Sequence, residues 1–175
     1  MSEERRHPNV VNTNEVKPME TAKGGFASRR RRLGAEANGG ALGCSHIEVE
    51  PGKIAFPFHA HNALEEALYI LEGTGSLRIG PDTVAVRAGD YVAHLPGVVA
   101  HSLKNTGTST LRYLALSSPS MPVTMDIVTY PDSKKIAFAA GVDPKKGLMS
   151  ATLMRLIKDD QPKVDYYDDE PIAKE

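Results

Sequence analysis

The segment Phe58-His59-Ala60-His61 constrains the fold most, because a single residue separates its two histidines. Residues i and i+2 point to the same side of a strand but to different sides of a helix. The two imidazoles are therefore predicted to project side by side from a strand. Glu66 follows after a bend, and His101 opens another alternating stretch. We expect the bend to bring the carboxylate back to the imidazoles, with His101 as the fourth partner.

These four side chains predict a metal site. Three imidazoles and one carboxylate form a mixed nitrogen and oxygen ligand set, which suits Fe(II), Mn(II), Ni(II), Co(II) or Zn(II) better than Ca or Mg. We therefore predict one divalent transition metal bound by His59, His61, Glu66 and His101. The sequence does not identify the metal.

The surrounding pattern is typical of an all-β fold. Short alternating or apolar segments recur at about ten-residue spacing with glycine turns between them, which favours a sandwich or barrel. These segments are residues 45–50, 66–72, 76–79, 83–87, 91–95, 101–104 and 110–116.

Composition indicates one globular domain of 175 residues, with 41% hydrophobic and 25% charged residues. The net charge of −1 gives no reason to expect a nucleic-acid partner. No apolar run approaches the roughly 18 residues of a membrane span, and the N-terminus lacks an apolar secretory segment, so a cytoplasmic location without a membrane partner is expected. Cys44 is the only cysteine, so no internal disulfide is expected.

The chain resembles the cupin superfamily in two motifs. The first is written G-x5-H-x-H-x(3,4)-E-x6-G, and its positions are occupied by Gly52, His59, His61, Glu66 and Gly73. The second, G-x5-P-x-G-x2-H-x3-N, is similar to residues 89–105, which end in His101 and Asn105. The chain departs from these patterns in two loops. Gly52 is one residue further from His59 than the first pattern asks, and before His101 the proline is adjacent to the glycine and one extra residue is present.

Further segments resemble one group of small single-domain bacterial cupins, described as sugar-phosphate isomerases or mannose-6-phosphate-isomerase-like proteins. They are Leu33-Gly34, Tyr130-Pro131-Asp132 and the acidic aromatic end at 166–170. The resemblance implies a double-stranded β-helix, or jelly roll, at residues 28–135. It also implies a polar N-terminal arm at 1–27, a C-terminal extension at 136–175 that packs on the barrel or a partner, and a homodimer.

Other polar residues near the motifs are candidates for catalysis or substrate binding. Strand parity points Glu65 away from Glu66, towards solvent or the surroundings of the ligands. Because the bend could reverse this parity, Glu65 is also a reserve ligand and a candidate base. His94 is either a proton carrier near the metal, and then a second candidate base, or a surface histidine. Tyr69, Arg78 and Tyr113 are candidate substrate-binding residues, although strand aromatics usually belong to a core. Lys104 and Arg112 are further candidate anion anchors, although isolated strand cations are usually solvated.

The run Arg29-Arg30-Arg31-Arg32 has two interpretations. It could form an anion or nucleic-acid patch, or its arginines could alternate between solvent and a sheet edge. We favour the second interpretation, because no aromatic residues interleave with the run and the overall charge is balanced.

Three functions remain open. A metal-dependent isomerase would act on a small, oxygen-rich metabolite such as a sugar phosphate, and a dioxygenase would use Fe(II) and dioxygen. A non-catalytic module would use the metal to bind or sense a small molecule. The absence of an N-terminal helix-turn-helix pattern favours an enzyme over a regulator, with the isomerase first.

Overall fold

The computed structural model describes residues 7–40, 42–97, 99–119, 125–143 and 150–160. The acidic aromatic segment at 166–170 and much of the predicted C-terminal extension lie outside the described residues. None of the described helices is long and apolar enough to cross a membrane.

Nearly all regular structure in the described part of the chain is β. In chain order, the strands are β1 (Met19–Lys23), β2 (Phe26–Arg31), β3 (Gly43–Val49), β4 (Ala60–His61), β5 (Leu64–Glu72), β6 (Thr74–Ile79), β7 (Asp82–Arg87), β8 (Tyr91–His94), β9 (His101–Asn105), β10 (Leu111–Pro119), β11 (Met125–Tyr130), β12 (Lys135–Ala140) and β13 (Leu153–Lys158). One short helix, α1 (Leu33–Glu36), and two 3-10 turns, Thr13–Glu15 and Pro131–Ser133, complete the regular structure.

The first layer of the fold is a six-stranded antiparallel sheet in the order β1-β2-β3-β10-β5-β8. Gly73 ends β5 with φ of 87°, a conformation that L side chains rarely adopt. A Cβ at this position would lie 3.0 Å from the backbone of Leu111. Glycine therefore fits both the turn and the close packing against β10.

The second layer is joined through the segment that carries the two histidines. β4 pairs with β11 of a four-stranded sheet ordered β13-β12-β11-β4. Just before β4, His59 exchanges two backbone hydrogen bonds, of 3.1 and 2.8 Å, with His101 at the start of β9. Strand β9 belongs to a three-stranded sheet ordered β7-β6-β9. The histidine segment thus lies between β9 and β11.

The core fills the space between the layers. Side chains from both layers form one buried cluster that includes Ile47, Ile70, Leu77, Leu103 and Tyr113. Burial of large apolar side chains of this kind contributes roughly 1.5–3 kcal/mol for each one. The packing of two β layers around one core confirms the predicted all-β fold.

Two terminal regions differ from the sequence prediction in detail. The predicted polar arm contains β1, whose five residues are all exposed and which pairs with β2 of the same chain. The predicted C-terminal extension contains β12 and β13, which pair with each other. Pairing with a neighbouring strand decides these segments because their own sequence preference is weak.

Candidate metal centre

Three histidine nitrogens converge on one carboxylate oxygen. Oε2 of Glu66 lies 3.2 Å from Nε2 of His101 and 3.7 Å from Nε2 of both His59 and His61. The ligand atoms of His59, His61 and Glu66 all lie within 4.8 Å of one another. The four residues come from β4, β5, β9 and the segment before β4, so both layers of the fold contribute to the cluster.

Hydrogen bonds hold two of the imidazoles with their Nε2 atoms towards Glu66. Nδ1–H of His59 donates to the carbonyl of Pro57 at 2.7 Å, and Nδ1–H of His61 donates to Oδ2 of Asp126 at 2.5 Å. A carbonyl or a carboxylate only accepts, so the proton of each neutral ring stands on Nδ1. Each Nε2 then carries a lone pair, as metal ligation requires.

A further histidine, His94, packs against His101 of the cluster. The rings of His94 and His101 stack in parallel, with centroids 3.6 Å apart and planes 4° apart. His94 is directly opposite Glu66 across β5 and β8, and it is buried. Nε2 of His94 and Nδ1 of His101 are buried without a hydrogen-bond partner among the described residues. The structure thus places His94 against a predicted ligand.

Burial and charge set the protonation of the cluster in the absence of a metal. Burial lowers the pKa of His59 to about 4. Burial alone would raise the pKa of Glu66, but the hydrogen bond with His101 and the charges of His61 and His59 lower it to about 2. Burial opposes the charged form of His61, yet the hydrogen bond to Asp126 raises its pKa overall. At neutral pH the carboxylate is therefore ionised and His59 is neutral, as ligands must be.

The cluster lies in a cavity of about 350 Å³, within the size range of small-molecule sites. Apolar side chains such as Ile47 and Leu68 form part of its wall. Tyr130 also lines it and stacks on His59, with ring centroids 6.1 Å apart. Burial raises the pKa of Tyr130, so its hydroxyl stays protonated and available as a donor. The cavity can hold a small polar molecule beside the cluster.

The other predicted site residues are distributed between the cavity and the surface. Tyr113 lines the cavity and is 2% exposed. Glu65 is exposed, in agreement with the parity argument, and Tyr69 is 41% exposed; neither lines the cavity. Arg78 pairs with Asp132 at 2.7 Å and lines a separate outer groove together with Lys104.

The four arginines of the run alternate as expected, but Arg30 and Arg32 do not lie along a sheet edge. Arg29 pairs with Glu20 and Arg31 pairs with Glu48. Arg30 and Arg32 line the cavity. The expectation was wrong because β2 lies between β1 and β3 and is not an edge strand, and Arg30 is on the face of β2 that lines the cavity.

Sequence reasoning did not select Asp126, Arg30 or Tyr130 as individual site residues. The signal for Asp126 was present, because it shares strand parity with Val128 and would therefore be buried. A buried carboxylate requires a partner, and that partner is His61. No local signal distinguishes Arg30 from its neighbours in the run.

The residues present fit a divalent transition metal. Three neutral imidazole nitrogens and one ionised carboxylate are typical ligands for such an ion, and Asp126 orients one imidazole as outer residues do in metal sites. The predicted ligand set of His59, His61, Glu66 and His101 is thus brought together in space.

Comparison with known proteins agrees with this architecture. Residues 45–117 match the family described as cupin domain. An uncharacterized protein of Methanocaldococcus jannaschii is 34% identical over 61 residues, which make up 35% of this chain and 48% of that protein. The chain therefore spans about half the length of that curated relative.

Solved structures extend the similarity to most of the chain. A candidate sugar phosphate isomerase from Acidithiobacillus ferrooxidans is 25% identical with a TM-score of 0.75, covering 90% of this chain and 96% of that one. A cupin-superfamily sugar phosphate isomerase from Silicibacter pomeroyi is 15% identical with a TM-score of 0.72, covering 90% and 97%, and this match shows the fold alone. A predicted oxalate decarboxylase from Thermotoga maritima is 27% identical with a TM-score of 0.55, covering 63% and 98%. These matches confirm the resemblance and the double-stranded β-helix.

Proposed function

This chain contains a cupin domain, and we propose that it is a metal-dependent, isomerase-like enzyme that acts on a small, oxygen-rich metabolite. The observation that carries the proposal is the convergence of three imidazole Nε2 atoms on one oxygen of Glu66, at 3.2–3.7 Å. The similarity to proteins described as sugar phosphate isomerases supports the choice of reaction class. The reaction class is part of the proposal because fold alone does not determine function.

His59, His61, Glu66 and His101 would hold the metal. When bound, a divalent transition metal would supply Lewis acidity towards the carbonyl and hydroxyl oxygens of a substrate, as an aldose-ketose interconversion requires. The contacts of Pro57 and Asp126 keep the imidazoles of His59 and His61 oriented for this task.

The cavity would bind and orient the substrate. Its apolar wall excludes water around the reacting carbons, which strengthens polar interactions inside the cavity. The protonated hydroxyl of Tyr130 can donate a hydrogen bond to a substrate oxygen, because burial raises its pKa. The carboxylates among the described lining residues are Glu66 and Asp126, and both contact histidines.

Elemental analysis of protein purified without added metal tests the first part of the proposal. We expect about one transition metal per chain in the wild type. The double variant His59→Ala/His101→Ala should lose it while keeping its circular dichroism spectrum. Protein that contains no metal, and takes up none on reconstitution, would contradict the metalloenzyme.

Activity assays test the second part. Aldose-ketose interconversion of phosphorylated sugars that His61→Ala abolishes would support the isomerase. Oxygen uptake by the iron-loaded protein would contradict the isomerase and support the dioxygenase. Reversible binding without turnover in both assays would contradict an enzyme and support a non-catalytic binding or sensing module.

A further inference from the structure

We propose that Arg30 is the anchor for an oxyanion group of the substrate, so that the cavity selects a phosphorylated or carboxylated metabolite. This inference rests on the proposed function and names the substrate class of the same cavity. Arg30 lies on β2, half-buried, and lines the cavity that contains the histidine cluster. It faces inward opposite Ile47 of β3, which is in turn opposite Tyr113 of β10.

The side chain of Arg30 is held in place while most of its donors remain available. Nε–H donates to Oγ of Ser45 at 3.1 Å, and the guanidinium carbon lies 5.8 Å from the centre of the Phe56 ring. No carboxylate among the described residues forms an ion pair with Arg30. An arginine has five N–H donors in a planar fork, so the two terminal nitrogens remain for a ligand.

Neighbouring arginines, unlike Arg30, form ion pairs with carboxylates of the described residues. The exposed Arg29 pairs with Glu20 on the outer side of the same strand. Arg112 pairs with Glu48 and Glu72. The cations proposed from sequence as anion anchors are thus engaged or outside the cavity, whereas Arg30 lies beside the cluster.

The charge of the cavity also favours an anion. Its described charged lining residues are Arg30 and Arg32, which are positive, and Glu66 and Asp126, which are negative. These charges cancel, so a divalent metal would leave two net positive charges within the cavity. A phosphate monoester carries nearly two negative charges at neutral pH. The loaded cavity therefore matches a phosphate group, with a carboxylate as the second source of the same chemistry.

The matched variants are Arg30→Gln and Arg29→Gln, which remove the same charge from adjacent positions on opposite faces of β2. Calorimetric titration with inorganic phosphate, and separately with acetate, would measure anion affinity of the metal-loaded and metal-free proteins. We expect Arg30→Gln to weaken phosphate binding about tenfold or more, as loss of charge-assisted hydrogen bonds implies. Arg29→Gln should leave the affinity unchanged. A loss for acetate and not for phosphate would identify a carboxylate as the ligand.

Two outcomes would overturn the proposal: unchanged affinity for both anions in Arg30→Gln, or an equal loss in Arg29→Gln, which would reflect overall charge. If Arg30→Gln does not fold, Arg30→Lys is the alternative variant, because it keeps the charge without the planar fork. Its phosphate affinity should lie between those of the wild type and a protein without the charge. Metal content is measured in every variant. A wild type without metal would defeat the proposed function, while the metal-free titration would still decide the role of Arg30.

Discussion

Asp126 on β11 accepts a 2.5 Å hydrogen bond from His61 on β4, across 65 positions of sequence. Its other carboxylate oxygen accepts the backbone N–H of Ala63 at 2.9 Å. One buried carboxylate thus fixes both the ring of His61 and the bend that leads into β5. The orientation of a predicted metal ligand therefore depends on a strand outside both sequence motifs.

Asp126→Asn is predicted to weaken metal binding about 10–100-fold, the usual effect of changing an outer residue of a metal site. An amide that donates to Nδ1 of His61 would move the ring proton to Nε2 and remove the lone pair that binds the metal. Competition with a chromogenic chelator measures the affinity. Asp132→Asn is the control, because Asp132 is exposed and pairs with Arg78. Equal affinities of Asp126→Asn and wild type would contradict the orienting role.

Glu66→Gln is predicted to reduce metal affinity strongly, whereas Glu65→Gln should leave it unchanged. The two substitutions remove the same charge from adjacent positions of β5, but Glu66 contacts three histidines and Glu65 is exposed. Inductively coupled plasma mass spectrometry after dialysis reports the bound metal. If Glu65→Gln loses the metal instead, the reserve-ligand interpretation of Glu65 is correct.

Removal of the metal is predicted to lower the melting temperature. A ligand that binds the folded state alone stabilises it by about 2.7 kcal/mol when its free concentration is 100 times Kd. For a chain of this size each kcal/mol corresponds to ~2–4 °C, so the shift is roughly 5–10 °C. Differential scanning calorimetry with and without a chelator measures it. The variant His59→Ala/His101→Ala should melt at the same temperature in both conditions.

Acid sensitivity is predicted to depend in part on Glu48, which lies on β3 away from the cavity. Burial alone would raise its pKa, but hydrogen bonds from Arg31 and Arg112 lower it below the ordinary value. Because the folded pKa is below the unfolded one, the stabilisation is present above the unfolded value of about 4.3 and is lost as pH falls through the lowered value. Glu48→Gln should therefore cost about 1.5–3 kcal/mol at pH 7 and less at pH 3.

Urea unfolding at both pH values measures the effect of Glu48→Gln. Glu20→Gln is the control, because its ion pair with Arg29 is exposed and such pairs contribute little. An equal destabilisation of Glu48→Gln at pH 7 and pH 3 would show that the carboxylate charge is not the cause.

Local sequence was sufficient to predict the fold class and to select the histidine and glutamate cluster. The i, i+2 spacing of His59 and His61 places both rings on one side of the chain when the segment is extended. Regular glycine turns between short strands favour two β layers, and the motif spacings identify Glu66 and His101 as partners. Each of these features is a property of a short segment, so it can be read before the strands are arranged.

Tertiary structure decided which other side chains meet this cluster. Arg30 and Arg29 are neighbours of the same type, and the register of β2 against β3, which places Arg30 opposite Ile47, determines which of them faces the cavity. Asp126 reaches His61 because β11 pairs with β4, with Val128 opposite His61. Strand parity assigns a residue to a face, but the partner strand and the register come from non-local packing. The sequence by itself therefore determined the predicted ligands, while the fold determined their orientation and the charge of the cavity around them.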